Sequence, residues 1–167
     1  ADKTLTRPKD ENRFSDWLKL RLEAKLTGRG IVSLREVEIR RGEGRGDTKN
    51  PGERTDIHIT GLVPGPIDGT YETVRVIVEV KGCWHAEVET AKVTQLVNRY
   101  LADNDCQHGI YLVGWYVCDQ WDQSDWRREA TPAWTIDEAR QILDQQANDL
   151  ATDQRSIQAV VLNAALR

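Results

Sequence analysis

The spacing of apolar residues along the chain switches between a helical and an extended period. Across residues 11–26, Phe14, Trp17, Leu18, Leu22 and Leu26 recur three and four apart and fall on one face, which predicts an amphipathic helix. Asp10 is placed to cap its start and Gly28 to stop it. The period then shortens. "IVSLREVEIRR" and "RTDIHITGL" read as strands separated by the Gly- and charge-rich loop "GEGRGDTKNPGE". "PGPIDGT" is a turn, and "YETVRVIVEVKGCW" is a third, strongly apolar strand carrying Val74, Val76, Ile77, Val78 and Val80. Helical spacing returns in "EVETAKVTQLVNRYLAD" through Val88, Ala91, Val93, Leu96, Val97 and Leu101. "HGIYLVGWYV" is a fourth strand. "TIDEARQILDQQANDLA" is a late helix whose Thr135 and Glu138 make a capping-box pattern, and "SIQAVVLNAAL" closes the chain as a strand.

This order predicts an α/β fold. Three strands with short links form an antiparallel meander, and the helix between strands three and four makes a crossover, so strand four runs parallel to a neighbour. The expected product is a mixed central sheet flanked by helices, with an extra C-terminal helix and strand. A length of 167 residues fits one domain over 1–167, large enough to bury roughly 70% of its unfolded surface. The chain begins at Ala1 and contains no methionine; removal of an initiator, or excision from a larger multidomain protein, would each account for that.

The third strand poses the chemical question, because its apolar run ends in Glu79, Val80 and Lys81. Side chains alternate along a strand, so Glu79 and Lys81 share a face. Opposed residues in a hairpin have a constant sum of numbers, and pairing Asp56 with Glu79 centres the turn between Ile67 and Asp68, inside "PGPIDGT". The same arithmetic across the preceding loop brings Glu36 or Glu38 near Asp56, with the turn centred near Gly46 or Asp47. At about 4 Å and an effective dielectric of about 20, each like-charged pair would cost roughly 4 kcal/mol. Raised pKa values, Lys81 or a divalent cation could offset this, and hard oxygen ligands suit Mg²⁺. The plainer alternative is that E-x-K at a strand end is an ordinary surface salt bridge.

Composition narrows the classes. A net charge of −4 argues against a generic basic nucleic-acid binder, although binding follows local patches. Three cysteines without a C-x-x-C predict neither a disulfide framework nor a zinc site, and fit a reducing, cytoplasmic setting. No apolar run reaches the roughly 18 residues of a membrane span.

With Asp56 in "ERTDIHI" and Glu79-Val80-Lys81 in "VEVKG", the chain resembles the PD-(D/E)xK, or restriction-endonuclease-like, nuclease superfamily over roughly residues 11–118. That resemblance implies an αβββαβ core. It implies a Mg²⁺-dependent endonuclease acting on DNA, with Mn²⁺ able to substitute. Asp56, Glu79 and the carbonyl of Val80 would hold the metal, Lys81 would orient or deprotonate the attacking water, and Gln95 would hold water or a ligand by hydrogen bonding. Thr55 stands where the motif often has proline, and Tyr100 lies five residues after Gln95 rather than four, so no tyrosine role is carried over. Glu11, Glu36 and Glu38 compete as a further acidic group, with Glu36 preferred. Such domains are often effectors of bacterial antiviral defence, fused to sensor or ATPase modules, and double-strand cleavage calls for a homo-oligomer or other assembly. The rival readings are a catalytically silent binding or scaffold module of the same fold and an RNA-directed nuclease. An α/β hydrolase finds no G-x-S-x-G or Cys–His arrangement to support it.

The loop from Arg40 to Arg54 reads as a solvated segment, or as an arm touching phosphates through Arg40, Arg41, Arg45, Lys49 and Arg54. His58, two residues after Asp56 on the same face, is expected as a hydrogen-bonded interior histidine, with assistance to a metal site as the alternative. Trp115 is expected in the core, and Trp121 and Trp126 as clamps on the loop after strand four, with base stacking as the alternative. His85 and His108 have no evident partners, and the acidic stretch 119–155 is expected to repel nucleic acid.

Overall fold

The computed structural model describes residues 6–38 and 54–165, with residues 36–38 and 54–56 described for the backbone only. Helix α1 spans Glu11–Leu26. Its start is capped by Asp10, whose carboxylate accepts from the Arg13 N–H at 2.8 Å, and at its end the Thr27 N–H donates to the Glu23 carbonyl before Gly28 turns with φ +78°. Phe14 and Leu18 are buried and Leu22 packs against the core. Trp17 departs from expectation. It is 48% exposed, stacked on the outer side of Phe14 with the Arg21 guanidinium over its ring, so the sheet-facing stripe is narrower than the apolar pattern.

Strands β1 (Ile31–Glu38), β2 (Arg54–Pro64), β3 (Tyr71–Gly82), β4 (His108–Trp115) and β5 (Ser156–Asn163) form one five-stranded sheet in the order β1-β2-β3-β4-β5. The first three are antiparallel, and β4 and β5 run parallel to β3. The fold is therefore α/β, an open mixed sheet flanked by helices. The 64–70 turn is closed by the Gly65 N–H on the Thr70 carbonyl and the Thr70 N–H on the Ile67 carbonyl, with Gly69 at φ +78° supplying the left-handed step. β2 and β3 pair in a register typified by Ile57 with Val78, a residue sum of 135, which is the sum implied by a turn centred between Ile67 and Asp68.

Helices cover both faces. Gly109 and Gly114 lie five apart on β4 and so face opposite ways. A Cβ at Gly109 would stand 3.1 Å from Leu96 and Leu101, whereas one at Gly114 would stand 2.8 Å from Phe14 of α1. Helix α2 (Trp126–Ala130) is a single short turn, and α3 (Ile136–Leu150) packs on β5, burying Ala139, Leu143 and Ala147. Its capping box is present as expected: the Thr135 hydroxyl accepts from the Glu138 N–H, and the Glu138 carboxylate accepts from the Thr135 N–H at 2.7 Å.

The crossover helix is wound differently from expectation. Lys92–Leu101 is a π-helix. An α-helix would gather Val93, Leu96, Val97, Tyr100 and Leu101 into an arc of roughly 140°, with Lys92 just outside it. At about 4.4 residues per turn, roughly 110° of arc instead takes in Lys92, Leu96, Val97, Tyr100 and Leu101, and Val93 falls just outside it. The observed burial follows the second set: those five are buried and Val93 is only half-buried.

Candidate functional site at the tip of β3

β3 sinks progressively into the core. Ile77, Val78 and Val80 are at most 2% exposed, and the charged pair at its end goes with them: Glu79 is 1% and Lys81 7% exposed. Their side chains meet at 2.7 Å, Nζ to Oε1. Desolvating each ion costs several kcal/mol, so this is not the ordinary surface salt bridge that E-x-K at a strand end would otherwise be.

A second carboxylate arrives from the other side. Glu11, the first residue of α1, accepts a hydrogen bond from the Gly82 N–H through Oε1 at 2.8 Å, one residue beyond Lys81. Of the three competing acids, Glu11 is thus placed against β3. The side chains of Glu36, Glu38 and Asp56 lie outside the described residues. Their backbone positions are informative. The described β2–β3 ladder reaches Ile57–Val78, the residues next to Asp56 and Glu79. The β1–β2 pairs Arg35–Ile57 and Val37–Thr55 bracket the rung of Glu36 with Asp56.

β4 supplies Tyr111, the ladder partner of Glu79. The ring is fully buried and its hydroxyl donates to the Val88 carbonyl at 2.7 Å. Burial first, then the charges of Glu79, Glu11 and Glu87, raise its pKa well above the usual phenol value, so three carboxylates act on one phenol.

The π-helix and the turn before it complete the surroundings. Gln95 donates through Nε2 to the Glu87 carboxylate at 2.6 Å, and the Glu87 N–H donates to Nδ1 of His85 at 3.0 Å. Lys92, 1% exposed, donates to the Glu89 carbonyl and lies 5.5 Å from the Tyr111 ring centre. Burial pulls its pKa down to about 8, against an upward pull from Glu89. Lys92, Glu87, His85 and Tyr111 were not legible as site residues. Lys92 sits off the apolar face on α-helical spacing, and the others carry no spacing signal.

Carboxylate and carbonyl oxygens are the ligand type of a hard cation, and the end of β3 carries the Glu79 carboxylate and the Val80 carbonyl, with the Glu11 carboxylate bonded to the Gly82 N–H. Among the described residues, no group of three or more His, Cys, Asp or Glu converges closely enough to hold a metal ion; that set does not include the Asp56 carboxylate.

Beside Glu11 opens a cleft of about 700 Å³, also lined by His85, Trp84, Trp126, Arg7 and Arg127. The tryptophans divide. Trp121 is fully buried and donates through Nε1 to Asp125 at 3.0 Å, a clamp as expected. Trp126 is 68% exposed and clamps nothing. Asp125 also holds Arg127 at 2.7 Å; that hydrogen bond first, with the Trp121 bond, lowers its pKa to about 2. Arg127 in turn lies over the Trp84 ring at 4.9 Å. His58 also departs from expectation. It is half-buried, its Nε2 has no hydrogen-bond partner among the described residues, and burial, then the Arg75 charge, lower its pKa.

Among the described residues, no helix is long and apolar enough to cross a membrane. No protein-family model matches the chain, and neither a curated protein nor a solved structure matches it.

Proposed function

We propose that the chain is a Mg²⁺-dependent nuclease of restriction-endonuclease-like fold that hydrolyses phosphodiester bonds in DNA. The observation that carries this reading is the buried Glu79–Lys81 pair at the tip of β3, with the Glu11 carboxylate bonded to the next backbone N–H. Stability is a weak account of two desolvated opposite charges with a second acid at the same strand end, because an apolar replacement of such a pair is often neutral or stabilising; a functional role supports the nuclease reading. The αβββαβ element order and a β2–β3 register that reaches Ile57–Val78, next to Asp56 and Glu79, support the same reading.

The ligands would be Asp56, Glu79 and the Val80 carbonyl, with Glu11, bonded to the Gly82 N–H, and Glu36 as the candidate further acids. Bound Mg²⁺ supplies Lewis-acid chemistry, lowering the pKa of water and neutralising charge on the phosphate. Lys81 holds its ammonium against Glu79, where it would orient the attacking water and offset negative charge in the transition state. Gln95 acts at one remove, holding Glu87 beside His85.

The test is cleavage of plasmid DNA, linear DNA and RNA, with Mg²⁺ or EDTA, by the wild type, Lys81→Ala and Asp56→Asn. EDTA-sensitive DNA cleavage is expected. Lys81→Ala should lose roughly 100-fold or more in rate with metal affinity largely kept, and Asp56→Asn should lose both. A Lys81→Ala protein that cuts at the wild-type rate, or a wild type inert toward DNA, ends the proposal; preferential cutting of RNA replaces the substrate.

A further inference from the structure

We infer that the cleft beside Glu11 receives an unpaired nucleotide whose base stacks on Trp126, so that the proposed nuclease acts on single-stranded or locally unpaired nucleic acid. This rests on the nuclease reading for the chemistry, but the stacking site stands on its own geometry.

Trp84, Trp115 and Trp121 are 7%, 2% and 0% exposed, whereas Trp126 is 68% exposed on the wall of a cleft shared with Glu11. An exposed indole on a loose loop would mean little, but this mount is rigid. The Asp125 carboxylate accepts from the Arg127 N–H and from its guanidinium. Arg128 donates to the Trp121 carbonyl at 2.9 Å, tying α2 to a wholly buried ring. Glu11 opposite is fixed to Gly82 at 2.8 Å. A platform and a candidate metal ligand therefore line one recess.

The size of the recess and the exposed indole on its wall, not its charge, point to the occupant. About 700 Å³ is the scale of a small-molecule site, within the roughly 300–1,000 Å³ usual for such sites, and not a groove for duplex DNA. Its acids Asp10, Glu11 and Asp125 outnumber its arginines Arg7 and Arg127, and those arginines already engage Asp122 and Asp125. A phosphate backbone is therefore not drawn in by net charge. An indole face instead recognises the π-face of a base, which is available only where the base is unstacked. The expectation that the acidic stretch 119–155 repels nucleic acid applies to the phosphates, so stacking on Trp126 has to outweigh that repulsion.

The test is binding of a fluorescent dT oligonucleotide of about ten nucleotides, in EDTA to prevent cleavage, with a blunt duplex as competitor. Trp126→Ala should weaken single-strand binding about 5- to 100-fold, Trp126→Phe should weaken it less, and duplex binding should hold. The salt dependence should be shallow. Acrylamide quenching of wild-type emission should fall when dT is added, a readout independent of any variant. Equal weakening toward single strands and duplex, or no weakening at all, overturns the inference, as does a Trp126 that dT does not shield, which would leave the ring to a protein partner. Mg²⁺-dependent cleavage in the same preparations keeps the two readings apart. Cleavage with Trp126-independent binding removes only the stacking site, and Trp126-dependent binding without cleavage removes only the nuclease.

Discussion

Lys92→Met should stabilise the protein at neutral pH and remove a specific part of its pH dependence. The wild-type ammonium is 1% exposed, and burial takes its pKa from 10.5 to about 8. At about 1.36 kcal/mol per pKa unit, keeping that charge in the folded state costs about 3 kcal/mol. The sign follows from proton counting. Below about pH 8 both folded and unfolded chains carry the proton and the cost is present in full. Between about 8 and 10.5 the unfolded chain binds more protons than the folded one, so the contribution of Lys92 rises with pH and the cost is relieved. Methionine fills a similar volume without the charge. At pH 7 the variant should therefore gain up to about 3 kcal/mol, less about 0.5–2 kcal/mol for the lost contact with the Tyr111 ring. By pH 10.5 the wild type should have recovered about 3 kcal/mol relative to the variant. Cys83, Cys106, Tyr111 and Tyr116, whose pKa values burial raises, lower stability as alkali is added. They are common to both proteins and cancel in the difference. Urea unfolding at pH 7, 8.5 and 10 under reducing conditions measures it. A difference between variant and wild type that stays constant from pH 7 to 10 would falsify the burial argument.

Gly82→Ala would bring a Cβ to 2.6–2.8 Å from the Trp84 ring; it should cost about 1–3 kcal/mol and lower the melting temperature by roughly 2–12 °C, and an unchanged melt would show that Trp84 can move freely. Asp125→Asn should cost up to about 2 kcal/mol at pH 7, because the Asp125 pKa is held near 2 by Arg127 and Trp121. A lowered carboxylate pKa stabilises above the unfolded value of 3.8 and loses its effect as pH falls through about 2, so urea midpoints of variant and wild type should converge between pH 4 and pH 2; parallel curves would show that Asp125 acts through shape alone.

The parts of the fold legible in the sequence were those set by local rules. Thr135 and Glu138 marked the start of α3 because a capping box is self-contained, and the "PGPIDGT" turn carried the β2–β3 register because a hairpin leaves little freedom once its turn is placed. The crossover gave the parallel β3–β4 pair. What stayed hidden depended on distant contacts. The π-winding has an α-like apolar pattern over ten residues, so Lys92 looked peripheral. Trp17 sits on the helix face read as buried but finds no sheet beneath it. Trp121 and Trp126 share a sequence neighbourhood, and only the Asp125 bond separates a clamp from an exposed ring. Glu79 and Lys81 were conspicuous from spacing alone. Glu11 was one of three competing acids until its bond to Gly82 placed it.

β3 is where the sheet changes from antiparallel to parallel pairing, with β2 on one side and β4 on the other. Its amides should be among the last to exchange with deuterium, since both flanks must part before they are exposed. Glu11 belongs to a helix that holds to the sheet chiefly through Phe14 and Leu18. The position of the Glu11 carboxylate thus depends on the docking of α1, whereas Glu79 and Lys81 belong to a strand held from both sides.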